Sequence, residues 1–248
     1  MAQARKKRPK KNPQHTTPDP SRGGRVAVRL TDTPKAFAEV PDPAEHLARP
    51  RGRGVDVRER ILKVALEYFG TFGFEGTSTR AVAERAGVGH TLVLYHFQSK
   101  DKLWIATVEA ALKGYADALA ANIATAPDRS ARDALTTFIE QFVRMSARHP
   151  HIHRLMTMNS NQETKRLEWV IEHFIRGHFT FVRDLIRRGQ AEGSVRECDP
   201  ARLYYLIIGA GGTPFTLQTE YKALTGRDVF SEAETLRNIA FIYEIVFI

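Results

Sequence analysis

Residues Thr77 to Lys100, TSTRAVAERAGVGHTLVLYHFQSK, constrain this chain more than any other stretch. They read as two short helices joined by a glycine-bearing turn, with a third helix starting at once. Ser78 or Thr77 is placed to cap the first helix by accepting a bond from an unpaired backbone N–H. Val82, Ala83 and Ala86 give that helix one small apolar face. Gly87 falls where a helix ends in a left-handed residue, a conformation glycine adopts without penalty. Val88 follows as a buried plug, and Gly89 opens the second helix. Val93 and Phe97 share its inner face, which turns His90, Thr91, Leu94, Tyr95 and His96 outward. This layout predicts a helix-turn-helix, in which the second helix suits the DNA major groove. Thr77, Ser78 and Thr79, at the head of the first helix, offer hydroxyls and N–H groups to phosphates, and Arg80 and Lys100 add charge. The reading helix from Gly89 to Phe97 contains no Lys or Arg.

The flanks fit the same picture. A helix is predicted from Asp56, with Asp56 and Glu59 as its capping pair. Ile61, Ala65, Phe69 and Phe72 form its apolar stripe, and Gly73 stops it. Ser99 is the expected cap of the helix that follows, which Leu103, Trp104, Val108, Ala111 and Leu112 carry to about Ala121. Everything beyond reads as helix: Asp128 to Ala147, Ile152 to Met158, a capping pair at Ser160 and Glu163, and a run of about seven turns from Leu167 through Leu185. Gly193 ends that run. Asp199 and Pro200 start the next helix, which meets Pro214 and is expected to kink there. Ser231 and Glu234 cap the last helix, ending on FIYEIVFI.

Charge is unevenly spread. Of 37 Lys or Arg and 28 Asp or Glu, residues 1–55 hold thirteen and five, so the arm carries nearly all of the net +9. Residues 1–54 also hold eight of the twelve prolines. This composition reads as a basic, disordered arm suited to polyanions. Its end, RPRGRG, is a candidate for the minor groove or for plain phosphate attraction. The single cysteine, Cys198, excludes an intrachain disulfide framework. No apolar run has the length of a membrane span, and MAQARKKRPKK is not followed by the apolar region of a secretory signal. A cytoplasmic protein without membrane association is the expectation.

Histidines are the one hint of metal chemistry, at 149, 151, 153, 173 and 178. His173 and His178 are five apart on a helix and diverge, while His149 to His153 straddle a predicted break, so no converging ligand set is expected. No phosphate loop, Ser–His–Asp order or Cys–His pair is present. The reading is therefore a protein that is not an enzyme and uses no cofactor.

Residues 56 to about 105 resemble the DNA-binding domain of TetR-family transcriptional regulators, through RERIL, AL.YF, GFEGTSTR.VAERAGV and LYHF.SKD.LW. The stretches HP..HRLM, RLEWV and YKALTGRD further on also look like the body of one branch of that family. Two departures stand out. The family commonly has Ser-Lys where this chain has Gly89-His90, and a tyrosine where it has Leu94. Tyr95 and His96 match family contact positions, and Leu94 is suited to a thymine methyl.

The resemblance implies an all-α fold with a helix-turn-helix domain at 55–103 and a helical ligand-binding and dimerisation domain at 104–248, following the disordered basic arm that composition predicts at 1–54. It implies a homodimer acting as a ligand-responsive repressor on a pseudo-palindromic double-stranded DNA operator, with a small-molecule effector. An activator or architectural DNA binder without an inducer is the alternative, and an enzyme with a DNA-binding head a more distant one. By analogy, Met145, Met156, Trp169, His173, Phe174, His178, Phe181 and Tyr204 are the effector-site candidates. The last two helices, with Gly209 to Gly212 and the apolar C-terminal run, are the candidate dimer surface.

Overall fold

The computed structural model describes residues 53–124, 129–160 and 164–248, with the backbone alone at 53–56 and 115–124. Most of the basic arm lies outside these residues. The described chain is helical: α1 (Arg53–Gly76), α2 (Thr79–Arg85), α3 (His90–Phe97), α4 (Lys100–Ala124), α5 (Ala131–Arg148), α6 (Pro150–Asn159), α7 (Lys165–Val170), α8 (Arg176–Ala191), α9 (Pro200–Thr216), α10 (Gln218–Thr225) and α11 (Glu232–Val246). An isolated antiparallel bridge, Val195 with Phe247, is the one β pairing among the described residues. The all-α reading holds.

Buried side chains form two clusters. In the first, Ile61, Ala65 and Phe69 of α1 meet Val82, Ala83 and Ala86 of α2, Val93 and Phe97 of α3, and Leu103, Trp104 and Val108 of α4. Leu155 of α6 and Val170 of α7 complete it, so this core is closed from the C-terminal side of the chain. The second cluster joins Leu135, Phe138, Ile139 and Phe142 of α5 to Val182 and Ile186 of α8, Leu203, Ile207 and Phe215 of α9, and Ile239 and Ile242 of α11. Helix α1 reaches across to α6, where Gly70 brings the two backbones together. A Cβ there would stand 2.8 Å from the His151 carbonyl oxygen.

Several local expectations are corrected. Helix α1 starts at Arg53, inside the stretch read as arm. Gly73 does break the regular helix, with φ 69°, but one more turn follows to Gly76. Phe72 is 54% exposed and leans on Tyr68 at 5.4 Å, so it belongs outside the apolar stripe. Val88 is half-buried against the first cluster rather than a full plug. The capping pair at Ser160 and Glu163 falls partly outside the described residues, and Thr164 is the observed cap, its side chain accepting from the Leu167 N–H. The long run beyond it is interrupted by a π-helical segment, Ile171–Ile175. Helix α9 continues through Pro214 to Thr216. Helix α10, ended by left-handed Gly226, is an element the sequence pattern does not predict. The C-terminal run divides: Ile242, Val246 and Phe247 are buried, while Phe241 is 53% exposed.

Candidate nucleic-acid interface

Helix α2 is short and starts as its sequence demands. Ser78 is extended, and its Oγ accepts from the Arg80 N–H at 3.2 Å. The turn after α2 runs through Gly87 at φ 65°, a left-handed position with no obstacle near it. Arg60 of α1 pins the end of α2 by donating from Nε to the Ala86 carbonyl at 2.9 Å. Gly89 is the extended cap residue of α3 and supplies no side-chain bond.

Val93 and Phe97 are buried, which fixes the rotation of α3. Thr91, Leu94 and Tyr95 face solvent, and Tyr95 keeps 78% of its surface in water. An aromatic ring this exposed adds little to the core behind it. His96 is half-buried, edge-on to Tyr95 at 5.4 Å. His90 is also half-buried, and its Nε2 lies 3.0 Å from Thr79 Oγ1, a bond that couples the start of α3 to the start of α2.

Of the residues named for phosphate contact, Ser78 and Arg80 are exposed. Thr77 is corrected: it is 3% exposed, and its hydroxyl donates to the Gly73 carbonyl at 2.7 Å. Its hydroxyl satisfies a carbonyl freed by the Gly73 break, so in this structure it serves the corner. Lys100 is half-buried; its Nζ donates to the Glu75 carbonyl at 3.2 Å and lies 4.5 Å from the centre of the Phe74 ring. Ser99 caps α4 as expected, accepting from the Lys102 N–H at 3.1 Å. Arg58 was not singled out in the sequence; its guanidinium lies 5.4 Å from the Phe97 ring centre, beside α3.

The eight effector-site candidates do not come together as one set. Met145, His178, Phe181 and Tyr204 pack in or against the second cluster. Trp169 and Phe174 pack against the first cluster instead, and Met156 touches both. His173 is exposed, stacked on Trp169 at 4.7 Å, with its Nδ1 2.8 Å from the Trp169 carbonyl oxygen. Nine positions apart, Trp169 and His178 point to opposite sides even of a regular helix, and the two ends of the run, with the π segment between them, face different neighbours.

At the inner end, His178 Nδ1 lies 3.1 Å from the Tyr204 hydroxyl, and Phe138 packs on the ring at 5.3 Å. Burial holds the His178 imidazole down to about 4 and pushes the Tyr204 phenol up. His178 is therefore neutral near pH 7. Burial also lowers His151 and His153. On α5, Gln141 and Ser146 are buried, and neither Gln141 Oε1 nor Ser146 Oγ has a hydrogen-bond partner. Nothing in the sequence marks either, because polar residues between apolar ones on a helix ordinarily form the wet face. No group of three His, Cys, Asp or Glu that could hold a metal ion occurs among the described residues. No described helix is long and apolar enough to cross a membrane.

Comparison with known proteins agrees with this geometry. Residues 61–107 match the family described as "Bacterial regulatory proteins, tetR family", and residues 132–246 match "Tetracyclin repressor-like, C-terminal domain". The chain is 28% identical over 193 residues to the HTH-type transcriptional regulator RutR of Escherichia coli K12, covering 76% of this chain and 90% of RutR. It is 27% identical over 158 residues to the HTH-type transcriptional repressor NicS of Pseudomonas putida, covering 62% and 72%. Over 55 residues it is 42% identical to the class C tetracycline repressor protein of Escherichia coli, 22% of this chain and 25% of that one. Among solved structures, a mutant HlyIIR protein superposes with a TM-score of 0.57 at 20% identity, covering 80% of this chain and 98% of that one. With a helix-turn-helix presented at 77–97 and both halves of the family matched in order, the chain belongs to the TetR family of transcriptional regulators, DNA-binding proteins that are not enzymes.

Proposed function

We propose that the chain is a ligand-responsive repressor that binds a pseudo-palindromic operator as a homodimer. The observation that carries this is the outward face of α3, where Thr91, Leu94 and Tyr95 stand in solvent while Val93 and Phe97 anchor the helix. His90, Thr91, Leu94, Tyr95 and His96, following Gly89, read base edges. Ser78, Thr79, Arg80 and Lys100 meet the backbone. The DNA-reading head spans 55–103 and the effector and dimer body 104–248, with the arm of 1–54 adding sequence-independent attraction. In the dimer, two α3 helices lie about one turn of DNA apart, roughly 34–36 Å.

The dimer face lies on α9 and α11. Tyr205 and Phe241 are exposed there, and a Cβ at Gly209 would touch nothing, so the surface admits a close neighbour. The effector region centres on Gln141, Met145, His178 and Tyr204, with Phe181 beside them. A buried amide oxygen without a partner suits a donor on a small, mostly uncharged ligand. A coupling of about 1–3 kcal/mol between the two sites changes operator affinity roughly 5- to 150-fold.

The test is a titration of the purified chain against DNA from upstream of its own coding sequence, with and without small-molecule extract of the source cells. Specific binding that weakens on extract addition supports an inducible repressor. Binding that extract leaves unchanged favours a constitutive binder, and binding that extract strengthens favours a co-repressor.

A further inference from the structure

The corner between α1 and α2 is held by a residue far away in sequence. Phe74, one residue past the Gly73 break, stacks on Phe69 with ring centres 6.0 Å apart and planes 6° from parallel. Two cations lie against the Phe74 ring: Arg166 of α7, 3.6 Å from its centre, and Lys100 of α4, 4.5 Å away. The Arg166 guanidinium also points Nη2 at Glu75 and Nη1 at Asp101, each at 3.5 Å. Its Nε is buried and has no hydrogen-bond partner. Lys100 in turn donates to the Glu75 carbonyl. One arginine of α7 therefore touches the α1–α2 corner and the first turn of α4, the two places that position Ser78 and Lys100.

Glu75 and Asp101 are mostly exposed, so the ion pairs contribute direction more than energy. The stack on Phe74 is the stronger element, because the guanidinium lies 3.6 Å from the ring centre and is mostly out of water while both carboxylates are exposed. Helix α7 leads through the π segment to His178 and Tyr204.

We propose that Arg166 is a positioning residue for DNA binding: stacked on Phe74 between Glu75 and Asp101, it holds the α1–α2 corner and Lys100 where they meet the phosphate backbone. This rests on the reading of Lys100 as a phosphate contact.

The experiment measures fluorescence anisotropy of the full chain with a labelled duplex from its own upstream DNA, over a salt series. Arg166→Ala, Arg166→Lys, Phe74→Leu, Lys100→Ala and the double variant Arg166→Ala/Lys100→Ala are compared. Arg187→Ala, on an exposed face of α8, controls for the loss of one positive charge. Thermal unfolding establishes that each variant is folded. Phe74→Leu keeps the apolar fill and removes the ring face, so it serves if Arg166→Ala does not fold.

Arg166→Ala and Phe74→Leu are expected to weaken binding roughly two- to thirtyfold, the range of a partly desolvated cation–π contact. Arg166→Ala should also lower the slope of log K against log salt by about one phosphate contact. Lys100→Ala should lower it equally, the double variant no further, and Arg166→Lys should restore only part of the affinity. The proposal is overturned if Arg166→Ala matches Arg187→Ala in affinity and slope while Lys100→Ala loses slope, or if the slope losses of Arg166→Ala and Lys100→Ala add. If Lys100→Ala keeps the wild-type slope, the phosphate-contact reading fails first and the proposal with it.

Discussion

Gly70 offers a direct test of how head and body are joined. The residue is buried in α1 against α6. A Cβ at this position would stand 2.8 Å from the His151 carbonyl oxygen, 3.2 Å from its Cβ and 3.3 Å from its Cα. The nearest obstacle is backbone, which cannot rotate away. Restoring ordinary contact at 3.4 Å requires the helices to part by about half an ångström, and such overpacking costs about 1–3 kcal/mol. Alanine in a helix interior returns about 1 kcal/mol over glycine. Gly177 in α8 isolates that second effect, because a Cβ there meets nothing within 4 Å. Gly177→Ala should therefore stabilise the protein by up to about 1 kcal/mol, and Gly70→Ala should be about 1–3 kcal/mol worse than Gly177→Ala. The assay is thermal and urea unfolding of both variants at one protein concentration. A difference of this size separates their melting temperatures by roughly 2–12 °C in a chain of this length. Equal stability of the two variants would refute the claim that α1 and α6 meet backbone to backbone at Gly70.

Two further perturbations follow from the body. His178 is depressed to about 4 in the folded protein, against 6.5 in the unfolded chain. Between those values the unfolded state holds the extra proton, so stability is lost as pH falls through that window, by no more than about 3 kcal/mol. Unfolding followed from pH 7 to pH 5 should show a shallower acid loss in His178→Gln than in the wild type, and equal losses would remove His178 as the cause. On the proposed dimer face, Phe241→Arg and Tyr205→Arg place charges on rings now 53% and 65% exposed. Sedimentation should then find monomer where the wild type is dimeric, whereas an unchanged dimer would move the interface elsewhere.

The parts legible in the sequence were those set by near neighbours. Ser78 as a cap, Gly87 as a left-handed turn, and Val93 with Phe97 as an anchor all depend on contacts within a few residues. The all-α class followed from periodicity sustained over many turns. What sequence did not convey depends on distant partners. Thr77 has the chemistry of a phosphate contact, but the Gly73 break supplies a carbonyl that takes its hydroxyl. Trp169 and Phe174 have the chemistry of a pocket wall and lie on the run that leads to His178, yet they pack against the other core. Periodicity reports that a face is buried and does not say against what. The Phe74–Arg166 stack joins residues 92 positions apart, and no local pattern announces it.

The central claim is that the outward face of α3 chooses the sequence and its flanks supply affinity. The direct measurement is the affinity of wild type, His90→Ala, Thr91→Ala and Lys100→Ala for the upstream duplex and for a scrambled duplex at fixed salt. Wild type should prefer its own site by about 10³ or more. His90→Ala and Thr91→Ala should each lose about 1–3 kcal/mol on the specific site alone, while Lys100→Ala weakens both duplexes alike. Equal losses on both duplexes for His90→Ala and Thr91→Ala would contradict the account, since α3 would then be gripping DNA without reading it.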